Sequence, residues 1–246
     1  MAGLGKYIDP MRIQLPSRCF VCHTWPSTPV CNACVARFAQ VQARCQRCAL
    51  PMTGPAMVCG SCLIDPPPLD ACFAAVPYTY PWSGLVTVFK FQQEAGWAGQ
   101  FAQMMRSMPW VEPALDQVDW VIPMPLSDQR LRERGYNQAW ELAKQLTGRG
   151  LRHKLRSDLL FRIAHTPPQP GLPRAQRIRN LSQAFAVNPM LIEQVASRRI
   201  ALVDDVMTTG ASLFSAASTL RRAGAVHITG LVLARTDVVS SVHNSD

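Results

Sequence analysis

The stretch from 199 to 212, RIALVDDVMTTGAS, constrains the fold of this chain more than any other. Ile200 to Val203 form an apolar run that is too short for a helix and is typical of a strand buried on both faces of a parallel sheet. Asp204 and Asp205 are expected to end that strand. A helical pattern follows the turn and stops at Gly224, and the next strand is expected directly after it.

Two adjacent carboxylates at the end of a buried strand are costly unless they bind a partner, because both lie near a low-dielectric sheet. A polyol or a metal ion would satisfy Asp204 and Asp205. The turn after them offers backbone N–H groups, the hydroxyls of Thr208, Thr209 and Ser212, and a helix N-terminus, which together predict a phosphate site. Sugar hydroxyls on one side and a phosphate on the other describe a ribose 5-phosphate. The alternative is a solvated acidic turn whose hydroxyl residues cap the helix.

The whole stretch resembles the phosphoribosyl-diphosphate (PRPP) motif of type I phosphoribosyltransferases: an apolar strand, two acids, then TTG and a small hydroxyl residue. The resemblance implies that the aspartates hold the ribose 2- and 3-hydroxyls and that the loop after them cradles the 5-phosphate. The PRPP-binding residues expected in this stretch are Asp204, Asp205, Met207, Thr208, Thr209, Gly210, Ala211 and Ser212.

Four CxxC pairs precede this region, and they predict two structural zinc ions. The eight expected ligands are Cys19, Cys22, Cys31, Cys34, Cys45, Cys48, Cys59 and Cys62. Thiolates two residues apart can grip one Zn²⁺, and two such pairs complete a tetrahedral shell. The short gaps within the first and last couples favour sequential pairing, although a crossed arrangement stays open. The ninth cysteine, Cys72, lies in an apolar run and is expected to be a buried thiol.

Composition divides the chain into a small module and an ordinary domain. We expect an N-terminal tail over 1–18, a double zinc ribbon over 19–69, the main domain over 70–240 and a C-terminal tail over 241–246. The stiff stretch Asp65-Pro-Pro-Pro marks the internal boundary. The sequence has no apolar run of membrane-spanning length and no apolar signal segment near its start, so we expect a cytoplasmic protein without membrane insertion.

The middle of the chain is strongly basic. Residues 130–179 hold twelve Lys and Arg against three acids, a net charge of +9 that equals that of the whole chain. Arginine dominates, which favours bidentate phosphate recognition over mere solubility, with a solvated basic face as the alternative. A strand over 118–122 is expected to lead through a basic loop, 130–138, into a helix over 139–146. The arginines before that helix N-terminus predict a diphosphate site.

Three further segments complete the organisation. Ala71 to Tyr80 predict a strand, and two helices with apolar faces follow. Lys90 lies among apolar residues in the sequence FKF and points either into a site or to water. The Pro- and Arg-rich segment that starts at Thr166 and precedes Phe185 is interpreted as a mobile lid, with an inert basic excursion as the alternative.

These segments in combination resemble the ComF family, known also from GntX-type proteins. The resemblance rests on the CxxC pairs, FKF, PMPL followed by RLRERGYNQ, the TPPQ segment and VDDVMTTGAS. It implies an α/β fold in which a type I phosphoribosyltransferase-like parallel sheet, flanked by helices, follows a zinc-ribbon module. It also implies a link to DNA uptake in natural competence, and it places Arg134 and Gly135 on the diphosphate side. The sequence shows neither the N-terminal nucleophile cysteine nor the glutaminase domain of the full amidotransferases, so we do not expect that family's amidotransferase reaction.

Two functions follow as hypotheses. The first is an enzyme in which a nitrogen nucleophile displaces pyrophosphate from PRPP with Mg²⁺, with Asp204, Asp205 and Arg134 as catalytic residues and Lys90 in the PRPP-binding set. The second is a non-catalytic module that senses PRPP and binds single-stranded DNA, with competence proteins as partners. The basic region offers few aromatic residues for base stacking, namely Tyr136, Trp140 and Phe161, and each could be buried instead.

Overall fold

A computed structural model describes residues 17–92, 94–163 and 184–237 of the 246-residue chain. Its centre is a four-stranded sheet in the order β1-β6-β5-β2, and every pairing in that sheet is parallel. The strands are β1 (Ala71–Pro77), β2 (Trp120–Pro123), β5 (Arg199–Met207) and β6 (His227–Arg235). A separate antiparallel pair consists of β3 (Leu160–Arg162) and β4 (Phe185–Val187). The predicted α/β class with a parallel sheet is confirmed.

Eight helices accompany these strands in the described residues. They are α1 (Asn32–Phe38), α2 (Gly60–Ile64), α3 (Trp82–Phe91), α4 (Trp97–Arg106), α5 (Val111–Gln117), α6 (Asp128–Arg134), α7 (Gln138–Thr147) and α8 (Ala211–Arg222). Two 3₁₀ turns lie at Arg152–Lys154 and Pro189–Gln194. Within the described parts of the chain, these helices are all too short or too polar to cross a bilayer.

The apolar run of β5 explains why helices cover both faces of the sheet. Ala201 and Val203 pack in the core that contains the inner faces of α3, α4 and α7. Ile200 and Leu202 point the other way, into a second core that α8 closes with Leu213 and other apolar residues. Because side chains alternate along a strand, a continuous apolar run is what a doubly covered strand requires. The prediction of burial on both faces is confirmed.

Two segments differ from the sequence-based expectation. The acid pair does not end β5, because the strand continues to Met207 and pairs with β6 along this length. The expected basic loop, 130–138, is largely helical: α6 begins at Asp128 after the cap residue Ser127 and is followed by Gly135 in the left-handed conformation. A cap residue and a C-terminal glycine are strong helix signals that the density of charge concealed.

Smaller shifts concern the ends of strands and the loop before β4. The strand expected over 71–80 ends at Pro77, and the one expected over 118–122 begins at Trp120. The predicted lid segment falls almost wholly on residues 164–183, which lie outside the described residues. The domain boundary between 69 and 70 stays a prediction, and Cys19 and Cys34 pack in the same core as the sheet residues Ala201 and Leu231.

Candidate functional site

A cavity of about 270 Å³ opens at the carboxyl ends of β2 and β5. This is the edge at which ligands bind in open parallel α/β sheets. Most of the predicted PRPP-binding residues line it, namely Lys90, Arg134, Asp204, Asp205, Met207, Thr208, Thr209, Gly210, Ala211 and Ser212. Gly135 is the exception: it ends α6 with a φ of 77° and does not appear among the lining residues.

Asp205 is the most constrained acid of the cavity. It is 6% exposed, and its Oδ1 lies 3.0 Å from the Lys90 ammonium. Its Oδ2 is buried and has no hydrogen-bond partner in the described part of the chain. An unpaired buried carboxylate oxygen is costly and native proteins rarely leave one unexplained. The geometry therefore calls for a donor or a cation from a ligand, and it shows that Lys90 points into the site.

Asp204 lies beside Asp205 and is half-buried at the cavity wall. Its Oδ1 accepts the backbone N–H of Asp205 at 2.9 Å. Burial raises the pKa of Asp204 to about 7, the negative charge of Asp205 adds to the effect, and Lys90 and Arg134 oppose it. The carboxyl therefore changes its protonation state near neutral pH, and a bound cation would favour the ionised form.

The turn between β5 and α8 forms the opposite side of the cavity. Gly210 has a φ of 83°, and a Cβ there would lie 2.5 Å from the Met207 methyl carbon and 2.7 Å from the Phe214 ring. The positive φ therefore favours glycine here, and a Cβ would have to displace the ends of the Met207 and Phe214 side chains. The twelve-residue helix α8 begins at Ala211, and its first-turn N–H groups lie at the cavity. A helix N-terminus in this position is suited to a phosphate.

Three arginines supply positive charge to the other wall. Arg134 donates to Gln138 Oε1 at 2.8 Å and packs over the Phe91 ring. Arg130, one of the arginines expected at the diphosphate site, lines the same cavity, and so does Arg162, which the sequence did not place there. Arg162 comes from β3 and stacks 5.3 Å from the Phe185 ring centroid, so its guanidinium is held in place.

The arginines influence one another as well as the acids. Burial lowers the pKa of Arg162, the charge of Arg130 adds to this, and Asp204 opposes it. A bound anion would relieve the repulsion between the two guanidinium groups. Arg130 belonged to the charged run that was noticed in the sequence. Arg162 has no surrounding motif, and only the packing of the β3–β4 pair brings it to the site.

Two neutral side chains hold the basic wall to the sheet. Asn137 caps α7 by accepting the N–H groups of Ala139 and Trp140, and its amide donates to Met124 O at 3.0 Å. Gln138 is buried and receives the hydrogen bond of Arg134. The sequence motif included both residues without assigning them a role. Their contacts fix the position of Arg134 relative to the end of β2.

The eight paired cysteines form two clusters in sequential order, which settles the open alternative in favour of sequential pairing. Within each cluster the four sulfurs all lie within 4.8 Å of one another. The sulfur–sulfur distances include 3.9 Å for Cys19–Cys34, 3.6 Å for Cys22–Cys31 and 3.7 Å for Cys48–Cys59. Zinc with four thiolates at about 2.3 Å gives a tetrahedron with edges of about 3.8 Å, so both clusters fit Zn²⁺.

The two clusters are local repeats of one another. In each, the third cysteine donates its N–H to the sulfur of the first, and the residue four positions after the first cysteine has positive φ and donates to the carbonyl of that cysteine. The pairs are Cys31 to Cys19 (3.4 Å) and Cys59 to Cys45 (3.3 Å), with His23 (φ 62°) and Ala49 (φ 55°) at the turns. The first cluster consists of Cys19, Cys22, Cys31 and Cys34, and the second cluster consists of Cys45, Cys48, Cys59 and Cys62.

Comparison with known proteins gives relatives along nearly the whole chain. The DNA utilization protein YhgH of Salmonella typhimurium is 30% identical over 230 residues, covering 91% of this chain and 99% of that protein. Competence protein F of Haemophilus influenzae is 34% identical over 194 residues, covering 78% of this chain and 84% of that protein. No family model matches the chain.

One solved structure, the allosteric regulatory enzyme of purine biosynthesis, aligns with 16% identity and a TM-score of 0.34. The alignment covers 59% of this chain and 26% of that one. A similarity of this extent supports no conclusion about the fold or the function of this chain.

Proposed function

Because the chain belongs to the ComF family, we propose that its cavity binds PRPP together with Mg²⁺. The observation that carries the proposal is the pair of neighbouring aspartates, one with a buried unpaired oxygen, facing a glycine-dependent turn at a helix N-terminus across one cavity. A sugar phosphate satisfies both sides at once. A ligand that lacked either the hydroxyls or the phosphate would leave one side unsatisfied.

Each part of PRPP has a place in this arrangement. The ribose 2- and 3-hydroxyls donate to Asp204 and Asp205. The 5-phosphate occupies the turn from Thr208 to Ser212, where the backbone N–H groups of the helix start can bind it. The diphosphate lies towards Arg134, with Arg130 and Arg162 adjoining it.

Magnesium fits the acid side of the cavity. Mg²⁺ takes oxygen ligands, usually one or two carboxylates together with phosphate oxygens and water. The carboxylates of Asp204 and Asp205 line the cavity and would offer such oxygens. A bound Mg²⁺ would supply positive charge to offset that of the leaving diphosphate. Lys90 holds one oxygen of Asp205 at 3.0 Å and so restrains this carboxylate.

The reaction that this arrangement supports is transfer of the phosphoribosyl group to a nitrogen nucleophile. The bond between C1 and the diphosphate oxygen breaks, its electron pair leaves with pyrophosphate, and a new C1–N bond forms as the nitrogen loses a proton. Positive charge develops on the sugar beside the aspartates, while negative charge develops beside Arg134. Preorganised charges of both signs stabilise such a transition state without a covalent intermediate.

Calorimetric titration with PRPP and Mg²⁺ tests the binding proposal. We expect saturable binding at one site per chain and at least about a hundredfold weaker binding for Asp205→Asn, because charge-assisted contacts in a buried site are worth several kcal/mol. Asp158→Asn is the matched control, since it makes the same charge change at a carboxylate paired with Arg156 outside the cavity. Equal loss of affinity in the two variants, or no binding by the parent protein, would contradict the proposal.

A release assay for pyrophosphate separates transfer from sensing. We expect release that depends on an added nitrogen nucleophile, tested across nucleobases and small amines, and that Arg134→Gln abolishes. If PRPP binds but none of these nucleophiles causes release of pyrophosphate, the protein is better described as a PRPP sensor. That outcome leaves the binding proposal intact and removes the transferase from it.

A second function, handling of single-stranded DNA in competence, is favoured by the names of the relatives and by exposed aromatic residues of the cysteine module. Trp25 and Phe20 are both exposed there, whereas Tyr136 in the basic region packs on Phe89 and donates its hydroxyl to a backbone carbonyl. Exposed rings can stack on bases. We expect binding of a fluorescent oligonucleotide that weakens steeply with salt and about tenfold on Trp25→Ala. Salt-insensitive or absent binding would exclude this role.

A further inference from the structure

Arg235 is a buried charge that has no acidic partner in the part of the chain that the structure describes. It ends β6 directly beside Met207 of β5 and is 3% exposed. No carboxylate of the described residues lies within ion-pair distance of it. A guanidinium this deeply buried is rarely left without a compensating charge. Its contacts therefore identify what the protein uses it for.

The hydrogen bonds of Arg235 join two parts of the molecule. Its Nε donates to the carbonyl of Cys48, in the second cluster, at 3.0 Å. One terminal nitrogen donates to the carbonyl of Met207 at 3.2 Å and to that of Thr208. Here β5 ends and the turn that leads into α8 begins, residues 208–212, which we call the phosphate turn. The same nitrogen reaches Thr236 O at 2.7 Å. One side chain thus fixes the backbone of a metal cluster to the backbone of the phosphate turn.

A second connection runs in parallel through β1. The N–H of Cys72 donates to Gln46 O, within the second cluster, at 2.8 Å, and its sulfur lies 3.7 Å from the Met207 sulfur. The Met207 methyl group in turn fills the space in front of Gly210. Backbone and side chain of the turn are therefore both in contact with groups that the second cluster holds.

Charge explains why an arginine is suited to this position. A zinc ion with four thiolates carries a net charge of −2. Arg235 and Arg44 each donate to a carbonyl of this cluster, at Cys48 and, at 3.1 Å, at Ala49. The described residues show no comparable arginine at the first cluster. With zinc bound, the four thiolates of the second cluster would therefore supply the negative charge that Arg235 lacks among the described residues.

We propose that Arg235 is a positioning residue through which the metal in the second cluster sets the shape of the phosphate turn, and hence the affinity of the cavity for the 5-phosphate. The proposal rests on the proposed PRPP site and adds a form of control to it. Loss of the second metal weakens ligand binding, whereas loss of the first does not. The cavity is then open to regulation by zinc supply or by chemical attack on the second cluster.

Hydrogen exchange of the free protein tests the connection without any ligand. For Arg235→Gln we expect amides 207–213 to exchange at least tenfold faster, while amides of α4 and α7 keep their rates. Arg235→Lys retains the charge with fewer donors in a less rigid geometry, so we expect an intermediate rate. Arg106→Gln is the control, because Arg106 also donates to a backbone carbonyl, Leu146 O at 3.0 Å, far from the turn. If Arg235→Gln does not fold, the exchange rates of amides 207–213 in Arg235→Lys are compared with those of the parent protein instead.

Two fragments of PRPP give a readout that general destabilisation cannot mimic. With Mg²⁺ present, we expect Arg235→Gln to weaken ribose 5-phosphate about tenfold and to leave pyrophosphate, which binds the arginine wall, within twofold. Equal loss for both fragments, or unchanged exchange at 207–213, overturns the proposal. If the turn loosens as expected but the parent protein binds neither fragment, the proposed PRPP site fails while the connection through Arg235 stands.

Discussion

The two cysteine clusters share one local design and differ in what surrounds them. The first lies against the helical layer, where Phe20 packs on Trp97 and the Trp82 indole donates to Phe38 O. The exposed Cys22 leaves one side of this cluster open to water. In the second cluster all four cysteines are buried, and backbone hydrogen bonds join it to the sheet. The repeated motif has thus produced the same cysteine geometry twice, but the second cluster is joined by hydrogen bonds of Arg235 to the residues beside the cavity.

The contacts beside the first cluster are aromatic packing and one hydrogen bond to the end of α1, whereas the second cluster is held by hydrogen bonds to its own carbonyls at Gln46 and Cys48. Aromatic packing stabilises a position but tolerates small shifts, because it is only weakly directional. Hydrogen bonds such as those of Cys72 N and Arg235 Nε fix backbone groups within tenths of an ångström. We therefore expect disturbances of the first cluster to stay local and disturbances of the second to reach the turn at 207–212.

The largest expected difference concerns stability, and Cys22 and Cys48 are matched positions for measuring it because each is the second cysteine of its repeat. Cys48→Ser removes a ligand from a buried site and should lower the free energy of unfolding by about 4 kcal/mol or more. Cys22→Ser should have a clearly smaller effect, since that sulfur is exposed. Urea unfolding with zinc analysis of each variant measures both. Equal destabilisation would remove the distinction between the clusters.

Metal release should separate the clusters in time. A chelator with a coloured zinc complex is expected to extract two zinc ions per chain in two phases, with the first cluster at least about tenfold faster because access does not require local opening there. Only the fast phase should disappear in Cys22→Ser. A single phase would mean that the two environments are equivalent for exchange. Fewer than two zinc ions in the parent protein would contradict the double site.

The pH dependence of ligand binding should be a property of the cavity and independent of the first cluster. Since the pKa of Asp204 is raised to about 7, the free protein holds a proton there below that pH, and Mg²⁺·PRPP must displace it. Affinity should rise about tenfold from pH 6 to pH 8 and then level off. Asp204→Asn should bind PRPP weakly, with an affinity that depends less on pH. This variant therefore distinguishes titration of Asp204 from titration of the ligand itself. Cys22→Ser should keep the parent profile, and a shifted one would couple the first cluster to the site.

The smallest expected effect concerns the parallel connection through Cys72. Burial raises the pKa of this thiol to about 12, so the group is neutral and acts through packing and its S–H contact with the Met207 sulfur. Cys72→Ala should cost about 1 kcal/mol of stability by leaving a small void and should weaken PRPP binding by no more than about threefold. Unfolding and titration of the variant measure both. If Cys72→Ala weakened PRPP binding as much as Arg235→Gln does, the contacts of β1, and not those of Arg235, would be the main link between the second cluster and the phosphate turn.

The sequence predicted the parts of the site that lie close together along the chain. The run from Ile200 to Ser212 indicated a doubly buried strand, two acids and a phosphate turn, and these residues meet at one cavity. The CxxC spacing indicated two metal sites. Both signals are local, since the chemistry depends on residues within a few positions of each other, and the structure needed only to bring the ends of adjacent strands together.

Contacts between distant segments were beyond the reach of the sequence. Arg162 reaches the cavity from β3, and Arg235 joins Cys48 to Met207 across 187 and 28 residues of chain. No periodicity or motif marks an arginine at the end of an apolar strand as buried, because exposure is the usual state of that residue. The helix α6 was missed for a different reason: its charged residues suggested a loop, while its caps indicated a helix.

The most direct test of this account is a crystal structure of the protein with Mg²⁺ and PRPP. We expect the 5-phosphate within hydrogen-bond distance of the backbone N–H groups at 208–212, the ribose hydroxyls on Asp204 and Asp205, and the diphosphate beside Arg134. Zinc should occupy both cysteine clusters, with Arg235 still bonded to the Cys48 and Met207 carbonyls. A ligand bound away from the aspartates, or with its 5-phosphate on the arginine wall, would contradict the account.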